Sequence, residues 1–134
     1  MFTIDHLGIA VNSLQKAKKF YQSLGLEVHS EEVSVREKVR LAMLPVGTSR
    51  IELLEPTAED SPIAKFLAKR GEGLHHVALH VDNLPAMVER MKKAGARFIS
   101  EEIKIGAGGH AYVFVHPAST GGVLLELVSE PEKT

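Results

Sequence analysis

The stretch IDHLGIAV at residues 4–11 is matched later in the chain by LHHVALHV at residues 74–81. From the histidine onward, bulky apolar side chains alternate with small or polar ones in both stretches. This alternation is typical of a β-strand with two different faces. His6 and His76 stand at the same place, each as the third residue of its stretch. The chain therefore carries one strand pattern twice, and comparing the two copies predicts the fold.

Each of these strands runs into residues that favour the start of a helix. Asn12 or Ser13 can cap the first helix, and Asp or Asn at residues 82–83 can cap the second. An apolar stripe at helical spacing follows each cap, and a glycine ends it, Gly25 in the first copy and Gly95 in the second. We therefore predict a strand and then a helix in each copy.

Three further strand-like runs follow each helix, so the repeat unit is βαβββ. In the first copy the predicted strands cover residues 27–33, 39–44 and 50–54. In the second copy they cover residues 97–102, 111–115 and 123–128. Between the copies, Ser61 and Pro62 can begin a short linker helix.

The length of the chain favours one domain that spans residues 1–134. We expect module one at about 1–57, the linker helix at about 58–72 and module two at about 73–134. The predicted fold class is α+β, with two tandem βαβββ modules.

Composition excludes several kinds of protein. The chain has a net charge of −1 and no cysteine, so any metal must be bound through nitrogen and oxygen. We expect no nucleic-acid partner, because no basic patch with aromatic residues is present. We expect no membrane partner, because no apolar run approaches the roughly 20 residues that span a bilayer. The N-terminal residues lack the features of a signal peptide, which favours a cytoplasmic protein, or an organelle-matrix protein if the chain has already been processed.

Four polar residues stand at matching places in the two copies and are the candidate metal ligands. His6 and His76 each share a strand face with small residues. Glu52 and Glu126 each interrupt an apolar run in the last strand of their copy. A buried carboxylate must be paired, protonated or bound to a cation, because isolated burial of its charge is costly.

Taken singly, a strand histidine is usually a structural residue and a strand glutamate often faces solvent at a sheet edge. Two histidines and two glutamates at repeat-related places instead favour a metal site. Such a donor set leaves coordination positions open in an octahedral site, and it suits cobalt, manganese, nickel, zinc or iron(II).

Other polar residues are weaker candidates. His75 has the wrong strand parity for the site, which indicates a structural role, whereas His80 has the right parity and could touch a substrate. The glycine-rich residues 106–109 could approach an anion through their backbone amides, or could form only a hairpin turn. Three further residues near that loop are candidates for contacts with carboxylate or phosphate groups: Lys104, His110 and His116.

These residues resemble the vicinal oxygen chelate superfamily, and within it the methylmalonyl-CoA epimerases. The similarity covers nearly the whole chain, including IELLEP at 51–56, SPIAKFL at 61–67, GLHH at 73–76, FVHP at 114–117 and GVLLEL at 122–127. The His/Glu pattern fits the wider superfamily, including glyoxalase I. The SPIAKFL and GLHH segments are more specific to the epimerases.

The resemblance implies that the two modules form a curved, mostly antiparallel eight-stranded sheet around a divalent metal, with helices on the outer face. It implies a homodimer that interconverts (2R)- and (2S)-methylmalonyl-CoA by proton abstraction and return at C2, through a metal-stabilised enolate. The implied metal ligands are His6, Glu52, His76 and Glu126, and cobalt is the first candidate, with manganese, nickel and zinc as alternatives. Glu52 and Glu126 are the implied catalytic residues.

The chain departs from some epimerases at one place. Those members carry a glutamate base where this chain has Leu41, and glutamine where it has Glu52. We expect Leu41 and Glu52 to lie close together on adjacent strands, with Glu52 as base, as ligand or as both. The alternative functions are glyoxalase I (lactoylglutathione lyase) and a metal-free small-molecule binding protein of the same superfamily.

Overall fold

The computed structural model describes residues 2–100, 102–106 and 109–130, which contain eight β-strands and three α-helices. The strands are β1 (Thr3–Ala10), β2 (Ser30–Ser34), β3 (Val39–Val46), β4 (Ser49–Pro56), β5 (Gly73–His80), β6 (Lys104–Ile105), β7 (Ala111–Val115) and β8 (Leu125–Ser129). The helices are α1 (Leu14–Ser23), α2 (Pro62–Arg70) and α3 (Leu84–Lys93). The chain divides into two compact units, the first being His6–His75 and the second being the described residues of Met1–Asp5 and His76–Thr134.

In the first unit the strands lie in the order β2-β3-β4-β1. β3 is antiparallel to β2 and β4, whereas β1 is parallel to β4. The Ser13 side chain caps α1 by accepting a hydrogen bond from the Lys16 amide at 3.2 Å. Leu14 of α1 packs on one face of the sheet, where it joins a buried hydrophobic cluster. The buried residues of this cluster are Val11, Leu14, Ala42, Leu44 and Leu53.

The linker helix α2 packs against the opposite face of these strands. Ser61 is fully buried, and its hydroxyl accepts a hydrogen bond from the Ile63 amide at 3.1 Å, as predicted for the cap. Ile63 lies in a second buried cluster with Ala10, Val39, Leu41 and Leu54. Because strand side chains alternate between faces, this cluster lies on the face that also carries Glu52.

The second unit repeats the arrangement, with strands in the order β5-β8-β7-β6. β5 is parallel to β8, and β7 is antiparallel to β6 and β8. The Asn83 side chain caps α3 by accepting from the Ala86 amide at 3.2 Å. α3 covers one face of the strands through a buried cluster. Its members are Val81, Leu84, Val88, Val113, Val115 and Leu127.

The strand predicted at residues 97–102 is wrong. Within this range, Phe98 makes an isolated bridge to Val115. Regular pairing with β7 begins only after the predicted range, at β6. The Ser100 hydroxyl accepts a hydrogen bond from the Glu102 amide at 3.3 Å, a local bond that competes with the strand ladder. Glu101 of this predicted strand lies outside the described residues. The other predicted strands are present, with their ends shifted by a few residues.

The described part of the chain contains no helix that is both long and apolar enough to cross a membrane.

Candidate metal centre

In the first unit, β1 and β4 hold His6 and Glu52 on one face. Gly8 is the direct strand partner of Glu52, and His6 lies two residues before Gly8, so all three face the same side. Nε2 of His6 lies 3.5 Å from Oε1 of Glu52, and the two residues are 5% and 8% exposed. On the other side Glu52 is paired with Met43 of β3. The carboxylate is therefore flanked by a glycine and by a long apolar side chain.

The second unit builds the same arrangement from β5, β8 and β7. Ala78 is the direct partner of Glu126, and His76 lies two residues before Ala78. Nε2 of His76 lies 3.2 Å from Oε1 of Glu126, with the two residues again 5% and 8% exposed. Phe114 is the other partner of Glu126, and its ring meets the His76 ring edge-on with centroids 5.7 Å apart. Each glutamate thus lies between one small and one large apolar residue.

Both pairs have the chemistry and spacing of metal ligands. Imidazole nitrogen and carboxylate oxygen are the donors that first-row divalent cations accept in a protein without cysteine. Two donors bound to one cation at about 2.0–2.1 Å lie about 3.0–3.4 Å apart. The nitrogen-to-oxygen separations of 3.5 and 3.2 Å are close to this spacing. Each pair could therefore supply one nitrogen and one oxygen to a cation.

The other predicted residues lie in different surroundings. The His75 ring packs edge-on against Phe66 of α2, with centroids 5.0 Å apart, which is a structural contact as predicted. Nδ1 of His116 accepts a hydrogen bond from the Ala118 amide at 3.0 Å and so caps the short 3₁₀ turn that follows it. Lys104 lies in β6 opposite Tyr112.

The glycine-rich loop is only partly described, since Ala107 and Gly108 lie outside the described residues. Its ends are joined where the Gly106 amide donates to the His110 carbonyl at 2.8 Å. This bond joins the ends of the segment between β6 and β7 and does not decide between the two predictions for the loop.

One residue of interest was not predicted. Glu130 follows β8 directly, and its carboxylate lies between two imidazoles, 3.5 Å from Nε2 of His80 and 3.4 Å from Nε2 of His110. The signal was present in the sequence, because Glu130 lies four residues after Glu126, as His80 lies four residues after His76.

Comparison with known proteins places this geometry in a family. The model of the Glyoxalase/Bleomycin resistance protein/Dioxygenase superfamily matches residues 5–114. The chain belongs to this superfamily. The resemblance inferred from the sequence is therefore confirmed.

Members of this superfamily that are similar to the chain include named epimerases. The chain is 46% identical over 127 residues to the human mitochondrial methylmalonyl-CoA epimerase, a match that covers 92% of this chain and 72% of the relative. It superposes with a TM-score of 0.91 on the crystal structure of methylmalonyl-CoA epimerase from Mycobacterium tuberculosis, at 39% identity over 96% of this chain and 88% of that one.

A second similar structure is a methylmalonyl-CoA epimerase in complex with methylmalonyl-CoA and NH4+. Its TM-score is 0.89 at 40% identity, covering 95% of this chain and 93% of that chain. These matches confirm the predicted fold class, an α+β fold of two βαβββ modules.

Proposed function

We propose that this chain is a methylmalonyl-CoA epimerase that interconverts the 2R and 2S forms of its substrate. The observation that carries the proposal is the pair of buried His–Glu contacts, His6 with Glu52 and His76 with Glu126. They occur in a chain whose relatives and structural neighbours bear the name methylmalonyl-CoA epimerase. One of those neighbours holds methylmalonyl-CoA itself.

We further propose that a divalent metal is held by four donors, which stand at matching places in the two modules. His6, Glu52, His76 and Glu126 are all buried, the first two in one unit and the last two in the other, and they are the four donors of the proposal. When bound, the cation would supply positive charge to the substrate oxygens on which negative charge develops. Cobalt is the first expectation, with manganese, nickel and zinc as alternatives, and the homodimer is likewise a prediction from the family resemblance.

The reaction requires the chain to move one proton on either side of a carbon atom. The C2 proton of the substrate lies between a thioester and a carboxylate, so its removal leaves an enolate. Inversion needs a base on one face of that carbon and an acid on the other. Glu52 and Glu126, one from each module, take these two roles, and they exchange roles when the reaction runs in reverse.

The neighbours of each carboxylate suit this work. Gly8 and Ala78 are small strand partners that leave space on one side of Glu52 and Glu126. Met43 and Phe114 cover the other side with apolar surface, which limits the access of water to the carboxylates. Glu52 could also act as a ligand alone, in which case the base on that side must be another group.

A direct comparison of two substrates tests the proposal. The purified protein is exposed to Co²⁺ and its bound metal is counted, after which it is incubated with (2R)-methylmalonyl-CoA and, separately, with the methylglyoxal–glutathione hemithioacetal. We expect the first to become a mixture of epimers and the second to be unchanged. Turnover of only the hemithioacetal would contradict the proposal and favour glyoxalase I. No turnover of either, together with no bound metal, would favour a binding protein.

A further inference from the structure

The second unit contains another cluster of metal-binding side chains, outside the site described above. His80 ends β5, Glu130 follows β8 directly, and His110 precedes β7 directly. Because β8 is hydrogen-bonded to both β5 and β7, the two histidines lie on either side of the glutamate. The three side chains supply two imidazoles and one carboxylate.

The two His–Glu distances in this cluster are close to those of the pairs described above, but the two imidazoles contact different oxygens of the carboxylate. Nε2 of His80 lies 3.5 Å from Oε1 of Glu130, and Nε2 of His110 lies 3.4 Å from Oε2 of the same carboxylate. Nε2 of His80 is buried and has no hydrogen-bond partner within the part of the chain that the structure describes. A buried polar nitrogen that lacks a partner is costly, and a bound cation would satisfy it.

The cluster is a translated copy of the His76–Glu126 arrangement. A shift of four residues along a strand keeps a side chain on the same face and moves it by about 13 Å. His80 lies four residues beyond His76 on β5, and Glu130 lies four residues beyond Glu126, one residue past the end of β8. His110, one residue before the antiparallel strand β7, takes the place equivalent to Phe114, since it follows in register after the pair of Ala111 and Ser129. The copy therefore has one more nitrogen donor than its original.

Module one has no such copy. Its equivalent places hold Ala10, Pro56 and Val39, none of which carries a donor side chain. Val39 and Pro56 are direct strand partners, and Val39 and Ala10 belong to the buried cluster under α2. The second cluster is thus a property of module two and does not follow from the repeat.

We propose that His80, His110 and Glu130 form a second divalent-cation site, suited to a late first-row ion such as Zn²⁺. The side chains of His110 and Glu130 are 46% and 66% exposed, so both have room to rotate toward His80 and share one cation with it. A bound cation would join the end of β5, the start of β7 and the residue that follows β8.

Zinc stoichiometry tests the proposal without use of activity. The full chain is stripped with a chelator and titrated with Zn²⁺ by calorimetry, with bound metal counted by elemental analysis. We expect two equivalents in the parent protein. His110→Phe introduces the residue type that pairs with Glu126. His110→Phe and Glu130→Gln should each leave one equivalent of zinc. His29→Phe is the matched control at an exposed histidine elsewhere, and it should keep two.

Glu126→Gln separates the two sites, because it should remove the other equivalent and leave zinc at His80, His110 and Glu130. The expected loss of affinity in His110→Phe is at least tenfold. A parent protein that binds one equivalent, with an affinity unchanged by His110→Phe and Glu130→Gln, would overturn the proposal. The three residues would then form only ion pairs when the imidazoles are protonated.

Discussion

Leu41 and Glu52 are diagonal neighbours on one face of the antiparallel strands β3 and β4. Leu41 is the direct partner of Leu54, and Glu52 lies two residues before Leu54 on the same strand. Such diagonal neighbours lie about 7–8 Å apart, within reach of a long side chain. The predicted proximity of the two residues is therefore confirmed. A carboxylate on either residue would lie in the same region of this face.

This relationship predicts that the base can be moved across the hairpin. Glu52→Gln should keep bound metal and lose most of the turnover, by about 10² to 10⁴-fold, because the amide cannot accept the C2 proton. The double variant Leu41→Glu with Glu52→Gln should recover a large part of that loss. Epimerisation rates of the two variants, measured at equal metal content, check the prediction.

Leu41→Gln with Glu52→Gln is the matched control, since it places a polar side chain of the same length on β3 without a carboxylate. It should stay as inactive as the single variant. Near-normal turnover in Glu52→Gln alone would remove Glu52 from the role of base and leave it as a ligand.

Glu126→Ala should remove both metal binding and activity. The substitution deletes the oxygen that lies 3.2 Å from Nε2 of His76. We expect metal affinity at the site of His76 to fall by at least about 100-fold, and turnover by about 10² to 10³-fold at the parent's working metal concentration. Glu89→Ala, at an exposed glutamate of α3, is the control and should change neither quantity. Tight cobalt binding by an inactive Glu126→Ala would show that Glu126 is not a ligand.

Ser61→Ala should destabilise the linker helix. The fully buried Ser61 hydroxyl accepts from the Ile63 amide, and its loss leaves that amide without its cap. The expected cost is about 1 kcal/mol in the free energy of unfolding, measured by urea denaturation. Ser23→Ala, whose hydroxyl is exposed, should cost less. Equal effects of the two substitutions would contradict the importance of this cap.

Acid titration should detect the ion pair between Lys38 and Asp60. The hydrogen bond from the Lys38 side chain lowers the pKa of the Asp60 carboxyl below its ordinary value of 3.8. Because the folded pKa is the lower one, the stabilisation is present above about 3.8 and is lost as the pH falls through the folded pKa. The effect on stability should be small, since the Asp60 side chain is largely exposed.

NMR titration of the Asp60 carboxyl in Lys38→Met measures this directly. The pKa should rise toward 3.8, whereas Lys92→Met, at a distant lysine on α3, should leave it unchanged. An Asp60 pKa that is the same in the parent and in Lys38→Met would contradict the assignment.

Much of the fold was predictable because each local signal had a specific physical cause. Ser13 and Asn83 were each one of two candidate caps on the strength of their side-chain oxygens, and Ser61 as cap with Pro62 after it indicated the linker helix. Strand parity placed His6 on one face with Gly8 and Ala10, since side chains alternate along a strand. These features depend on residues that are near in sequence or related by the repeat.

Features that depend on competition between local and long-range bonds were not predictable. The Ser100 hydroxyl ends the strand expected at residues 97–102, and no alternation of side chains reveals that turn. The parallel pairing of β1 with β4 and of β5 with β8 was also not predicted, because it joins strands far apart in sequence. Glu130 was missed because it follows the last predicted strand, where no apolar run surrounds it.

The most direct test of the central claim is hydrogen exchange at C2 of the substrate. The metal-loaded protein is incubated with pure (2R)-methylmalonyl-CoA in deuterated water, and C2 deuterium and epimer composition are followed together. Proton abstraction and return at C2 predict that deuterium enters at C2 as stereochemical purity is lost. Glu126→Ala should abolish both changes. Absence of deuterium incorporation at C2, with the substrate still in the 2R form, would contradict it.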